Sequence, residues 1–235
     1  MGLVVAGFAA VGLPALMVVT LEGHAVLASG PGRAFTAILR GPLDARALDR
    51  IDGLRDVIEA AAAEAGVEPA LVAGVVFAES RGVGGQRSSA GALGMMQLIP
   101  AAGRDAGRRA GIELPESDEE LEAALLEDDG LNVRLGAAHL RWLIDHRGEW
   151  DDEAVLVSYN AGRARLFRWI ERDGSYEAWA RGEEARARRG ERTTGALAYA
   201  RQVQRVRELF RARWRPRGTV SREPNAVRTR SIPDR

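Results

Sequence analysis

The sequence predicts a mainly α protein, on three observations. Apolar residues recur three and four apart in several stretches, the period of one helix face. Those stretches begin or end at Pro, Gly or Asp, the residues that start and stop helices. No run alternates apolar and polar residues as a half-buried strand would. With 235 residues, 46% hydrophobic and 28% charged, the chain can fold one packed domain with appendages.

The first element is the uncharged run of residues 2–21, GLVVAGFAAVGLPALMVVTL. As a helix it would span about 30 Å, the thickness of a bilayer core. With no polar face, it reads as an N-terminal hydrophobic helix, and residues 1–28 as a signal or a transmembrane anchor. Val26-Leu27-Ala28 offers small residues for cleavage. No basic residue precedes the run, so charge leaves its orientation open. Residues 29–45, broken at Gly30-Pro31-Gly32 and Gly41-Pro42, read as a linker.

Residues 46–213 form the expected domain. Leu48, Ile51, Leu54, Val57 and Ile58 share a helical face that closes at Gly66. Pro69 opens a second helix with the stripe Leu71, Val72, Val75 and Val76, ending near Gly82. A Gly/Ser-rich stretch and the short segment MMQLIP follow. Residues 113–129 hold nine acidic residues and no basic one, which reads as a solvated face. Val133, Ala137, Leu140 and Ile144 mark a further helix that ends at Gly148. Asp151 or Asp152 caps the next, which carries Val155, Leu156 and Tyr159 and closes at Gly162. Residues 171–192, dense in mixed charge, read as exposed. Tyr199, Val203, Val206 and Phe210 form the stripe of a last long helix. Residues 214–235 read as a basic disordered tail; from residue 211 on there are eight Arg and two acidic residues.

Composition removes several chemistries. There is no cysteine, hence no disulfide, thiolate metal site or thiol nucleophile. The histidines are His24, His139 and His146, the last two seven apart, so no H-x-x-x-H zinc pair exists. Neither a metal nor a cofactor is expected. All 33 basic residues are Arg, balanced by 33 acidic ones, and a neutral chain is not expected to bind nucleic acid. A monomer is expected. His139, Met95, Met96 and Ile99 read as core or groove lining.

One residue does not suit a core. Leu71, Val75 and Glu79 are spaced by four, so they share a face. Burial and the negative end of the helix dipole both disfavour an ionised Glu79 and raise its pKa. A protonated carboxyl near neutral pH is what a general acid requires. An exposed Glu at a frayed helix end has the same spacing. From Ser80 to Arg104 the chain then carries no Asp or Glu, but glycines, Ser88, Ser89 and Gln97. Such groups suit close approach to sugar hydroxyl and acetamido groups.

Glu79-Ser80 with AGALGMMQLIP at residues 90–100 resembles the lytic transglycosylase pattern, E-S followed by G-L-M-Q-[LI]-x-P. Ser158-Tyr159-Asn160-Ala161-Gly162 is similar to that family's A-Y-N-A-G, continued by Arg165, Arg168 and Trp169. Asn132 and Gly136 resemble its N-x-x-x-G, and Tyr199 and Val203 its terminal Y-x-x-x-V. The order and spacing agree over about residues 50–212. The resemblance implies a lysozyme-like single catalytic domain with a sugar groove. It implies cleavage of peptidoglycan glycan strands between N-acetylmuramic acid and N-acetylglucosamine, with a 1,6-anhydromuramoyl product. It implies Glu79 as catalytic acid/base, and Ser88, Gln97, Tyr159, Asn160 and Tyr199 as substrate-binding residues. It also implies an extracytoplasmic protein, secreted or held to the membrane by its N-terminal segment.

Three departures stand out. Met95 replaces a Leu, Arg163-Ala164 replace a Pro-Gly turn, and Gly195-Ala196-Leu197 replace E-T-R before the terminal Tyr. Glu191 could stand in for the last only if the chain loops back. The alternatives are a hydrolytic muramidase of goose-lysozyme type, a non-catalytic glycan-binding or assembly module, and a nucleic-acid binder driven by the arginine tail.

Overall fold

The computed structural model describes residues 44–215. The N-terminal apolar run, most of the linker and nearly all of the basic tail lie outside the described residues. Among the described residues ten helices follow one another: α1 (44–53), α2 (Arg55–Ala65), α3 (Pro69–Ser80), α4 (Pro100–Ala110), α5 (Asp118–Glu127), α6 (Asp129–Asp145), α7 (Asp152–Ala161), α8 (Arg163–Asp173), α9 (Tyr176–Arg188) and α10 (Ala196–Arg213). Among the described residues there is no strand, only two isolated bridges that pinch the loop at Arg87, Leu93 and Leu98. No single described helix is long and apolar enough to cross a membrane.

The start and stop signals act where the sequence places them. Pro69 opens α3, Asp151 accepts from Ala154 N at 2.9 Å to cap α7, and Gly66 closes α2 in the left-handed conformation. Where one helix is expected from Leu48 to Gly66, a turn at Leu54 divides it into α1 and α2, and Val57 is 38% exposed rather than in the core.

Two cores organise the molecule. The larger takes in α3, α7 and α10, with the inner faces of α1, α2, α6 and α9. Every residue of α3 from Ala70 to Phe77 is buried, so this helix is apolar all round and is wrapped by its neighbours. It packs on α10, which also packs on α7. Each of Val72, Val75 and Val76 is fully buried, which is worth roughly 1.5–3 kcal/mol per side chain. The smaller core holds Leu93, Leu98, Ala106, Leu121, Leu125 and Leu135. α6 serves both, giving Leu135 to the small core and Val133, Ala137 and Leu140 to the large one.

Two regions read as solvated are only partly so. Within residues 113–129, α5 buries Leu121 and Leu125 beneath its acidic face. Within residues 171–192, α9 buries Trp179, Ala180 and Glu183. Glu183 is tolerated because Arg186 and both the N–H and hydroxyl of Thr194 bond its carboxylate, at 2.6–2.8 Å.

Candidate active site

Glu79 stands in the last turn of α3, where the helix runs out of the large core. The helix ends at Arg81, held at φ 60°. Arg81 pairs with Asp44 of α1, stacks 4.3 Å from the Phe77 ring, and gives its carbonyl to Arg50 Nε at 3.2 Å. The turn bearing Glu79 is therefore tied down from α1.

As a residue Glu79 keeps some surface, but its carboxyl is largely enclosed. Burial lifts its pKa from 4.5 to about 7, opposed by the nearby Tyr199 hydroxyl. No second carboxylate acts on it among the described residues. Tyr199 of α10 and Tyr159 of α7 both feel its charge. Burial first, then that charge, pushes both phenols well above 10, so both stay neutral donors. Tyr159 Oη donates to the Met96 carbonyl at 3.0 Å. Tyr199 Oη is buried beside the Glu79 carboxyl without a hydrogen bond of normal geometry.

The loop between α3 and α4 forms the opposite side. Gln97 adopts φ 49° and spends its amide N–H on the Gly94 carbonyl at 2.9 Å. It follows Met96 and so lies one residue from the Tyr159 contact. Ser88 accepts from Ala92 N at 2.9 Å through its hydroxyl and closes its own turn. Asn160 is exposed on the last turn of α7. Glu79, Tyr159 and Tyr199 are thus brought together, and Gln97 sits next to their contact with the loop. Ser88 and Asn160 make no hydrogen bond to that group.

Asn132 and Gly136, which carry the N-x-x-x-G motif, support the loop of the site from α6. Asn132 is fully buried in α6. Its oxygen accepts from Met96 N at 2.8 Å, and its amide donates to Leu93 O at 2.9 Å and Leu125 O at 3.0 Å. One side chain thereby ties the loop to both α5 and α6. Gly136, one turn on, leaves room for Met96, whose side chain a Cβ would strike. Gly94, at φ 73°, lets the loop backbone pass over the Asn132 amide, which a Cβ would also strike. The available signal was a polar side chain on an otherwise apolar stripe.

His139 is half-buried, with its ring centroid 5.5 Å from Tyr159 and 6.1 Å from Trp142. Burial, with Arg109 assisting, lowers its pKa to about 4, so it packs as a neutral ring. Ile99, expected in the core or groove, is 48% exposed. Glu191 pairs with Arg189 at 2.5 Å and does not take the place of the missing acidic residue before Tyr199. Among the described residues no group of three or more His, Asp or Glu side chains could hold a metal. A cavity of about 330 Å³ lies between Trp150, Tyr176 and Glu184, and none of the site residues lines it.

This arrangement can deliver and retrieve one proton from a carboxyl that is half ionised near neutrality. Two neutral tyrosines stand near it, Tyr159 with its proton on the Met96 carbonyl and Tyr199 with its hydroxyl unpaired, and no acidic companion acts on it among the described residues.

A family model for the transglycosylase SLT domain matches residues 56–181. The chain is 36% identical over 124 residues to an endo-type membrane-bound lytic murein transglycosylase A of Klebsiella pneumoniae (strain 342), covering 50% of this chain and 59% of that protein. It is 35% identical over 107 residues to a transglycosylase of enterobacteria phage PRD1, covering 46% of this chain and 34% of that protein. The chain therefore spans less than two thirds of either relative. In three dimensions it is similar to an inactive mutant of the lytic transglycosylase Slt of Pseudomonas aeruginosa, with a TM-score of 0.54 and 22% identity, covering 68% of this chain and 24% of that one. It is also similar to the 70 kDa soluble lytic transglycosylase of Escherichia coli, with a TM-score of 0.52 and 17% identity, covering 67% of this chain and 24% of that one. Both solved structures support the lysozyme-like helical fold.

Proposed function

The chain belongs to the transglycosylase SLT domain family, and on that premise we propose that it is a peptidoglycan lytic transglycosylase with Glu79 as its only catalytic carboxyl. The observation that carries this reading is a carboxyl held near pKa 7 by burial, close to two neutral tyrosines, with no second acid acting on it among the described residues. Ordinary glycosidases place two carboxylates across the bond. A single one suffices when the substrate supplies the other groups.

Protonated Glu79 gives its proton to the glycosidic oxygen as the bond from that oxygen to C1 of N-acetylmuramic acid breaks. The 2-acetamido carbonyl oxygen of the same sugar stabilises the cation at C1. The Glu79 carboxylate then takes the proton of the C6 hydroxyl, whose oxygen bonds to C1. The product is a 1,6-anhydromuramoyl end, no water is consumed, and Glu79 is protonated again. Tyr199 orients the carboxyl, and Tyr159, whose hydroxyl donates to the Met96 carbonyl, holds the loop beside the acetamido group. Gln97, Ser88 and Asn160 line the path of the glycan. Holding C6 against C1 supplies much of the rate, as in other intramolecular attacks. Peptidoglycan lies outside the cytoplasmic membrane, so the domain acts there, secreted or tethered by residues 1–28. The relative named membrane-bound supports a tether.

Digestion of purified peptidoglycan followed by mass spectrometry tests the reading. The wild type is expected to release 1,6-anhydromuramoyl ends. Glu79→Gln is expected to release them on the order of 10³-fold more slowly while keeping its fold. Products heavier by one water would identify a hydrolytic muramidase instead. Activity retained in Glu79→Gln would overturn the assignment.

A further inference from the structure

The Tyr199 hydroxyl is placed by its backbone. Among the described residues Oη is buried and makes no hydrogen bond, so nothing at its own tip fixes it against Glu79. Tyr199 stands in the first turn of α10, where its N–H donates to the Gly195 carbonyl at 3.0 Å. The setting of that turn therefore decides where the hydroxyl lies.

The turn lacks the cap its neighbours have. α5, α6, α7 and α9 each begin with a Ser or Asp side chain that accepts a backbone N–H. α10 begins at Gly195, φ 79°, which has no side chain to offer. Thr194 fills the gap from one residue earlier. Its Oγ1 accepts from Ala196 N at 3.3 Å and donates to a Glu183 oxygen at 2.7 Å. The Thr194 N–H donates to the same oxygen at 2.8 Å. Glu183 of α9 is 2% exposed, and its other oxygen accepts from Arg186 at 2.6 Å. Burial opposes its charge, but Arg186 and Thr194 outweigh that and hold its pKa below the usual value. A buried carboxylate is costly to leave unpaired, and bonds to one are stronger than neutral bonds. Two of them grip a single threonine across the turn from α9 to α10. Glu183 and Thr194 both lie beyond residue 181, where the family match ends.

We propose that Glu183 and Thr194 are positioning residues for the reaction, setting the first turn of α10 and through it holding the Tyr199 hydroxyl against the Glu79 carboxyl. For its effect on rate the proposal rests on the catalytic reading above, but its first readout needs no turnover. The 13C signal of the Glu79 carboxyl is followed through a pH titration of the full-length chain in detergent, and is identified by its loss in Glu79→Gln. Thr194→Val keeps the shape of the side chain and its N–H bond to Glu183, and removes both hydroxyl bonds. Glu183→Met removes the acceptor. Thr194→Ser restores the hydroxyl. Arg186→Ala breaks the other half of the pairing and leaves both Thr194 bonds in place.

Thr194→Val and Glu183→Met are expected to titrate at higher pH than the wild type, towards Tyr199→Phe, because the hydroxyl that favours ionised Glu79 is no longer held beside it. Adding Thr194→Val to Tyr199→Phe should move the titration no further. Thr194→Ser should titrate as the wild type does, and Arg186→Ala should lower the melting temperature without moving the titration. On peptidoglycan, Thr194→Val should lose kcat on the order of tenfold, with KM little changed. A titration at or below that of the wild type in Thr194→Val or Glu183→Met would overturn the proposal. So would an equal shift in Arg186→Ala, or a further shift in the double variant. A wild type that releases no anhydro ends would count against the catalytic reading alone, since the titrations stand without it.

Discussion

A carboxyl with a pKa of about 7 makes two predictions at the scale of the residue. The first concerns Tyr199, whose hydroxyl favours the ionised form of Glu79. Tyr199→Phe removes that influence and raises the pKa further, so the acid form persists to higher pH. The falling alkaline limb of kcat/KM should therefore move to higher pH than in the wild type, and a shift to lower pH would contradict the placement of the hydroxyl. The second concerns stability. Below its ordinary pKa of 4.5 Glu79 is protonated in both folded and unfolded chains. Between 4.5 and about 7 the unfolded chain ionises first, which favours unfolding. Above 7 both are ionised and the cost is complete. Glu79→Gln should then be more stable than the wild type by on the order of 1–3 kcal/mol at pH 8, with the gain vanishing near pH 4. Urea titrations at the two pH values measure it. Group and position were legible in the sequence, because a carboxylate on an apolar stripe already implies desolvation. The two tyrosines came from spacing and resemblance, and only packing explains why their hydroxyls stay neutral.

Among the elements, the loop between α3 and α4 depends on a side chain from α6. Asn132 bonds Met96 N, Leu93 O and Leu125 O. Asn132→Ala would leave Met96 N and Leu125 O unpaired, while Leu93 O keeps the Leu98 N–H, at a cost of about 2–3 kcal/mol. It should also speed hydrogen exchange at the Met96 amide more than at core amides of α3. Exchange raised equally everywhere would show that Asn132 supports the whole fold rather than the loop. Gly136→Ala should be destabilised by about 1–3 kcal/mol, because its methyl would strike Met96. Periodicity revealed the helices with large apolar stripes, such as α3, α6, α7 and α10. It did not reveal α4, which buries only Gly103, Ala106 and Gly107, or α8, which buries only Leu166. Helices that dock through small or few residues carry too faint a stripe to read. In α9 the mixed charges that suggested exposure belong to a helix whose inner face holds Trp179 and an acid satisfied by Thr194 and Arg186.

For the molecule as a whole, α10 lies beyond the span of the family match, which ends at residue 181. Yet it supplies Tyr199, covers α3, and buries Ala196, Leu197, Ala200, Val203, Val206 and Phe210. Its Arg207 joins Glu68 at 2.5 Å to Asp152 at 2.7 Å, linking the start of α3 to the start of α7. Its far end meets α1, where Arg213 pairs with Asp52 and Trp214 Nε1 donates to Asp52 at 2.8 Å. A chain ended after Gly195 should therefore show no cooperative thermal transition, since the apolar faces of α3 and α7 would lose their cover. A sharp calorimetric transition near that of the full chain would refute this dependence.

Read alone, the sequence determined the helical class, the principal helix boundaries, a desolvated carboxyl at Glu79 and the family. All of these depend on short-range periods, caps and motif spacing, which are properties of contiguous residues. Tertiary structure alone decided that two cores meet across α6, that Asn132 holds the loop beneath Tyr159, and that Glu183 of α9 grips Thr194 ahead of α10. Each of these joins residues distant in the chain, and such contacts are chosen by packing and by the need to pair buried polar groups, which no local pattern encodes.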